Sequence, residues 1–109
     1  MTRIVITGAC GKMGRVINDI VNTRDDCEIT AGIDIAGEQY ADFPVYKKLF
    51  DLPEKPDVII DFSHPSLLDE LLDYCKINNV PVVIATTGYT DEQIKQIKKL
   101  PMDIKKKFL

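Results

Sequence analysis

The chain has 109 residues, 45% of them hydrophobic, which suits one small packed domain and is too apolar for a disordered chain. A net charge of −3 gives no reason to expect nucleic acid or an anionic membrane as partner, and the longest apolar runs are far too short to span a bilayer. Three cysteines without C-x-x-C spacing, one histidine and no signal-peptide pattern argue against a disulfide framework, a metal site or a His-based triad, and fit a reducing cytoplasm.

In chain order, Ile4-Val5-Ile6 is a run of β-branched residues, as expected of a strand buried on both faces of a parallel sheet. It leads into Gly8-Ala9-Cys10-Gly11-Lys12-Met13-Gly14, a G-x-x-G-x-x-G loop. Met13, Val16, Ile17, Ile20 and Val21 then fall on one face of a predicted helix. A glycine-rich turn from strand into helix lets free N–H groups and the helix dipole approach a pyrophosphate. Gly8 would make the tight turn, Gly11 would admit the phosphate, and Gly14 would let helix and strand pack. The spacing departs by one residue from G-x-G-x-x-G, and the plainer alternative is a βα turn that needs positive φ. The nucleotide reading is preferred because a strand over 28–33 ends at Asp34, 20 residues after Gly14. An acid at that place holds the adenosine ribose hydroxyls in dinucleotide folds. The alternative for Asp34 is a turn-initiating residue before Gly37.

Residues 35–56 are punctuated by Gly37, Pro44, Pro53 and Pro56, with a short edge strand expected at Phe43–Tyr46 and a turn of helix over 47–52. Asp57 to Phe62 reads as a buried strand, and Pro65 as the first-turn proline of a helix whose face is Leu67, Leu68, Leu71, Leu72 and Cys75. Val80 to Ala85 reads as another strand, with Pro81 tolerated at its start. Thr86-Thr87-Gly88-Tyr89 follows as a polar loop, and Thr90-Asp91-Glu92-Gln93 is a capping box opening a helix with Ile94 and Ile97 inward. Residues 99–109 read as a basic, frayed tail after a domain spanning 1–98.

Strands alternating with helices imply an α/β fold: a Rossmann-type parallel sheet with helices on both faces, in an incomplete or minimal version. With the first strand central, the loops Gly8–Met13, Phe62–His64 and Ala85–Gly88 converge at the switch point, where ligands bind. The adenosine is expected toward Asp34 and the nicotinamide toward the other two loops. Each polar group there has a local alternative. Thr86 and Thr87 can bond their own loop backbone. Ser63 and His64 can cap the 65–77 helix, the preferred reading for His64. Cys10 reads as a small residue in a tight loop, and Asp61 as a loop acid and not a catalytic base.

Together, Ile6-Thr7-Gly8-Ala9-Cys10-Gly11-Lys12-Met13-Gly14-Arg15, Ala31-Gly32-Ile33-Asp34, Asp57-Val58-Ile59-Ile60-Asp61-Phe62-Ser63-His64-Pro65 and Val83-Ile84-Ala85-Thr86-Thr87-Gly88-Tyr89-Thr90 resemble one family in order and spacing. That family is the dihydrodipicolinate reductases of lysine and diaminopimelate biosynthesis. The resemblance runs to about residue 98. It implies a reductase that delivers hydride from NAD(P)H to 4-hydroxy-tetrahydrodipicolinate. Position by position, Gly8, Ala9, Cys10, Gly11, Lys12 and Met13 would hold the pyrophosphate, and Asp34 the adenosine ribose. Ala85, Thr86 and Thr87 would flank the nicotinamide, Ala85 standing where the family usually has Gly. Ile35 stands where some members carry Arg, so NADH is expected as the preferred cofactor, with NADPH possible. The family's A-P-N-x-S strand and substrate domain have no counterpart after residue 98, so no catalytic residue is assigned. The chain is expected to bind cofactor without turnover, and to meet the substrate only with a C-terminal domain.

Two other readings compete. A short-chain dehydrogenase or epimerase relative shares the Thr7-Gly8-x-x-Gly11-x-x-Gly14 loop but needs Tyr-x-x-x-Lys. Tyr40, Tyr46, Tyr74 and Tyr89 are followed four residues later by Pro44, Phe50, Asn78 and Gln93. A non-catalytic dinucleotide-sensing module would suit the short length.

Overall fold

The computed structural model describes residues 1–108. In chain order the elements are β1 (Thr2–Thr7), α1 (Lys12–Val21), β2 (Cys27–Ile33), β3 (Val45–Tyr46), β4 (Val58–Asp61), α2 (Leu68–Asn78), β5 (Val82–Ile84), α3 (Asp91–Lys98) and β6 (Lys105–Phe108), with 3₁₀ turns at Leu49–Asp51 and Pro65–Leu67. The six strands form one sheet in the order β3-β2-β1-β4-β5-β6, and every neighbouring pair is parallel. This is the strand order of a doubly wound Rossmann sheet. The order is therefore complete, and the fold is minimal elsewhere: β3 has two residues, and a 3₁₀ turn stands where a helix could connect it to β4.

Alternate side chains of β1 enter opposite faces, as the strand period requires. Ile4 and Ile6 join Ala9, Val21 and Phe43 on the face covered by α1. Val5 joins Ile59, Leu68, Leu71, Cys75, Val82 and Ile97 on the face covered by α2 and α3. β1 pairs with β2 on one side and β4 on the other, Ile6 lying opposite both Gly32 and Ile60.

The apolar stripe of α1 is wider than its contact with the sheet. Val21 is buried and Ile17 partly so, but Met13, Val16 and Ile20 are 46%, 40% and 51% exposed. Gly14 explains the difference. A Cβ there would sit 2.4 Å from the Ala9 carbonyl oxygen, so the helix lies close along the Gly14–Ile17–Val21 line and turns the other flank outward.

On the opposite face, α2 buries Leu68, Leu71, Leu72, Tyr74 and Cys75, while Leu67 falls in the preceding 3₁₀ turn and is half-buried. Burial pushes the Cys75 thiol up to about 12, and the Asp61 charge adds to it, so Cys75 packs as a small hydrophobe. Asn79, at φ 53°, closes α2 in the left-handed conformation, and the Val80 N–H donates to the Cys75 carbonyl.

The capping box of α3 is formed. The Gln93 N–H donates to Thr90 Oγ1 at 3.2 Å, and the Thr90 N–H donates to Gln93 Oε1 at 2.9 Å. Thr90→Ala removes one of these acceptors and should cost about 1 kcal/mol of stability, read as a lower denaturation midpoint.

The segment expected as a frayed tail continues the domain. Leu100 and Ile104 are 4% and 5% exposed in the core shared by α2 and α3, and Lys105–Phe108 pairs with β5. Leu109 lies outside the described residues. No helix among the described residues is long and apolar enough to cross a membrane.

Candidate functional site

Because β1 is flanked by β2 and β4, the strand order reverses at its carboxyl end, where open α/β sheets bind ligands. A cleft of about 390 Å³ opens there, lined by Thr7, Gly8, Gly11, Ile33, Asp34, Ile35, Lys47, Leu49, Phe62, Ser63, His64, Leu67, Glu70 and Leu71.

The fold makes different demands on the three loop glycines. Gly8 adopts φ +69°, and a Cβ there would lie 2.4 Å from the Phe62 carbonyl oxygen. Gly14 is required by the contact of α1 with Ala9 described above. Gly11 is exposed, at φ −76° and ψ 176°, a conformation open to any residue. A Cβ there would meet, among the described residues, only the Gly8 carbonyl oxygen at 3.3 Å. That contact is tight but far milder than the 2.4 Å ones at Gly8 and Gly14, and the missing side chain leaves the start of α1 open beside the cleft.

That helix end is open in a second respect. Its N-cap, Gly11, contributes no side-chain bond, and no acid lies in the first turn, whereas α2 carries Asp69 and Glu70 and α3 carries Asp91 and Glu92. The first N–H groups of a helix have no intrahelical partner, and the dipole there favours an anion. A backbone cradle without a Cβ, at an uncapped helix start, fits a pyrophosphate.

The other loop residues divide between fold and cleft. Ala9 is fully buried, and its carbonyl accepts a 2.7 Å bond from the Tyr40 hydroxyl, so its side chain serves packing. The Cys10 N–H donates to Asp34 Oδ2 at 3.0 Å, and its thiol to the Glu38 carbonyl at 3.2 Å. Lys12 and Met13 begin α1 and are exposed. Arg15 is exposed, with its guanidinium 4.1 Å over the Tyr40 ring and Nε donating to the Cys10 carbonyl.

Both readings of Asp34 have a structural basis. Its Oδ1 accepts from the Ala36 N–H at 3.0 Å and its carbonyl from the Gly37 N–H at 3.0 Å, which makes it a turn residue. The same carboxylate lines the cleft at the end of β2 and ties the glycine loop through Cys10. A carboxylate offers about four acceptor positions, so one bond to each oxygen leaves capacity for hydroxyl donors. Lys47, which sequence reasoning passed over, also lines this end, and a Cβ on Gly37 would lie 3.3 Å from its Cε.

At the other end, Ala85, Thr86 and Thr87 follow β5 but are not among the described residues lining the cleft. Thr86 is 6% exposed and its hydroxyl donates to Asp61 Oδ2 at 2.8 Å, while Thr87 is exposed. His64 behaves as a cap, Nδ1 accepting from the Ser66 N–H at 3.1 Å. Ser63 does not cap; its hydroxyl donates to Asp61 Oδ1 at 2.5 Å.

Asp61 is the residue sequence reasoning set aside. It is 0% exposed and accepts from the hydroxyls of Thr7, Ser63, Thr86 and Tyr89. Burial pushes the Tyr89 phenol above its ordinary value, and the Asp61 charge adds to this. The signal lay in the alignment of strand ends: Thr7, Asp61 and Ile84 are register partners, so hydroxyls at or just after the three strand ends meet one carboxylate. Among the described residues no cluster of three metal-ligating side chains occurs.

A Rossmann-type sheet with a glycine-rich turn and an acid-terminated second strand at its switch point defines the class of this chain. Residues 2–106 match the family model described as dihydrodipicolinate reductase, N-terminus, and the chain belongs to that family. It is 41% identical over 97 residues to a 4-hydroxy-tetrahydrodipicolinate reductase of Clostridium novyi, covering 89% of this chain and 38% of that protein. A Clostridium tetani relative of the same name is 38% identical, covering 95% and 41% respectively. Among solved structures, a dihydrodipicolinate reductase from Paenisporosarcina sp. TG-14 with dipicolinate bound superposes with a TM-score of 0.73 at 35% identity, over 88% of this chain and 41% of that one. A conserved hypothetical protein from Pyrococcus furiosus, TM-score 0.67 and 13% identical over 91% of this chain and 87% of that one, shares the fold alone. The chain thus spans about two fifths of the length of these reductases.

Proposed function

We propose that this chain is the nicotinamide-dinucleotide-binding part of a 4-hydroxy-tetrahydrodipicolinate reductase, acting in lysine and diaminopimelate biosynthesis in the cytoplasm. The observation that carries the reading is Gly11. Of the three loop glycines it is the one on which the fold makes the lightest demand, and it stands at an uncapped helix start beside the cleft. On this reading the backbone from Gly8 to Met13 holds the pyrophosphate. Asp34 accepts the adenosine ribose hydroxyls, and Ser63, Ala85, Thr86 and Thr87 lie toward the nicotinamide. Bound there, NAD(P)H supplies a hydride. The protein's part is to fix the dinucleotide and turn one face of its ring to the substrate. The chain's one histidine, His64, caps a 3₁₀ turn. On this reading the acid and the substrate-holding groups belong to another part of the reductase.

NADH is the preferred cofactor on this reading and NADPH a possible one. A 2′-phosphate would face the Asp34 carboxylate, and the position after it is Ile35, 74% exposed and uncharged. Lys47 at the same end of the cleft offsets part of that repulsion. NADH should bind more tightly than NADPH by about tenfold, or about 1.4 kcal/mol. Lys47→Gln should widen the gap and Ile35→Arg should close it. Competition titrations of both cofactors measure this, and equal dissociation constants in the unmodified chain would contradict the assignment.

A further inference from the structure

Burying a carboxylate is costly unless hydrogen bonds replace its water. Asp61 meets that requirement with donors drawn from three strand ends. Thr7 comes from the last residue of β1, Ser63 from the loop after β4, and Thr86 and Tyr89 from the loop after β5. None of the ion pairs among the described residues involves it. Hydrogen bonds to an ionised acceptor are the strong ones, so hydroxyl donors suffice to hold the group.

The division between its two oxygens is informative. Oδ1 accepts from Thr7 and Ser63, which line the cleft, and the Ser63 N–H adds a bond of 3.3 Å. Oδ2 accepts from Thr86 at 2.8 Å and Tyr89 at 3.2 Å, which belong to the 85–89 loop. The Ala85 N–H adds a 2.9 Å bond to the Asp61 carbonyl. Residues 85–90 have no regular secondary structure, and Gly88 sits at φ +88°. Bonds from three residues of that loop therefore converge on Asp61, whose other oxygen holds the wall of the cleft.

We propose that Asp61 is a positioning residue: it locks the 85–89 loop to the Thr7–Ser63 wall, and so sets the surface that receives the nicotinamide end of the dinucleotide. This rests on the nucleotide reading of the cleft. Asp61 does not touch the ligand; it acts through Thr86, Tyr89 and Ser63. The adenosine and pyrophosphate end depends instead on Gly8–Met13 and Asp34. Loss of the lock should then separate two ligands that share that end, NADH and ADP-ribose.

The test is a pair of titrations on the full chain, NADH followed by its fluorescence and ADP-ribose by calorimetry. Asp61→Asn puts an amide donor where one oxygen accepted two hydroxyls. It should weaken NADH by about tenfold and leave ADP-ribose within about twofold. Thr86→Val should show the same split, and Thr86→Ser, which keeps the hydroxyl, should restore NADH binding. If Asp61→Asn does not fold, Thr86→Val and Tyr89→Phe decide by the same split. Equal losses for both ligands, or no loss for either, overturn the positioning role while the nucleotide reading stands. Failure of the unmodified chain to bind either ligand overturns the nucleotide reading and this assignment with it.

Discussion

Gly8→Ala is expected to destabilise the domain by about 3 kcal/mol, the upper end of what a strained backbone position costs. Two effects add. The residue sits at φ +69°, where a Cβ is disfavoured, and that Cβ would lie 2.4 Å from the Phe62 carbonyl oxygen. The obstacle is backbone, so no side-chain rotation relieves it. Moving it means shifting the segment after β4, which carries Ser63 and the hydrogen bonds to Asp61. A loss of that size is a large fraction of the total stability of a small domain. Urea unfolding followed by circular dichroism measures it, and a loss below about 1 kcal/mol would mean that the loop relaxes freely.

Gly11→Val is expected to do the opposite: little to stability and much to ligand binding. The backbone at Gly11 is extended and the residue is exposed, and a Cβ there asks the Gly8 carbonyl to give by only a few tenths of an ångström, so the unfolding free energy should fall by no more than about 1 kcal/mol. The branched side chain would stand where the pyrophosphate approaches the first turn of α1. NADH affinity should fall at least about tenfold, or about 1.4 kcal/mol or more. Unchanged affinity in a folded variant would remove the phosphate-loop assignment. The two glycines, three residues apart, should therefore separate: a loss of stability at Gly8 and a loss of binding at Gly11.

Much of the fold was legible because local pattern and global packing agree. The β-branched runs at Ile4–Ile6, Val58–Ile60 and Val82–Ile84 are too short and too apolar for a surface element. The leucines of α2 and the box at Thr90 and Gln93 carry their own geometry. The exceptions have physical reasons. Helical periodicity marks which side chains are apolar, not how closely the helix lies on its sheet, so the exposure of Met13, Val16 and Ile20 followed only from the Gly14 contact. β6 is a run of lysines ending in Phe108, and its pairing with β5 leaves no period in the sequence.

The candidate site was legible where it is made of backbone and illegible where it is made of pairings between distant side chains. A glycine loop and an acid 20 residues beyond it are local facts. The meeting of Thr7, Asp61 and Thr86 depends on strand order and register, and an acid at a strand end looks in sequence like any loop residue. Arg15 over Tyr40 and Lys47 beside Gly37 are of the same kind: they depend on where the 35–46 excursion returns to the sheet.

The central claim is that this chain holds a nicotinamide dinucleotide on its glycine loop. A ¹⁵N–¹H correlation spectrum recorded during titration with NADH tests it most directly, because it reads both binding and place. Saturable shifts are expected, concentrated in the amides of Gly8 to Gly14 and of Asp34 to Gly37, with smaller ones at Ser63 and Ala85 to Thr87. Amides in α3 and at the amino ends of the strands should stay unmoved. An absence of saturable shifts in the folded chain, or shifts concentrated away from the carboxyl ends of β1 and β2, would contradict it.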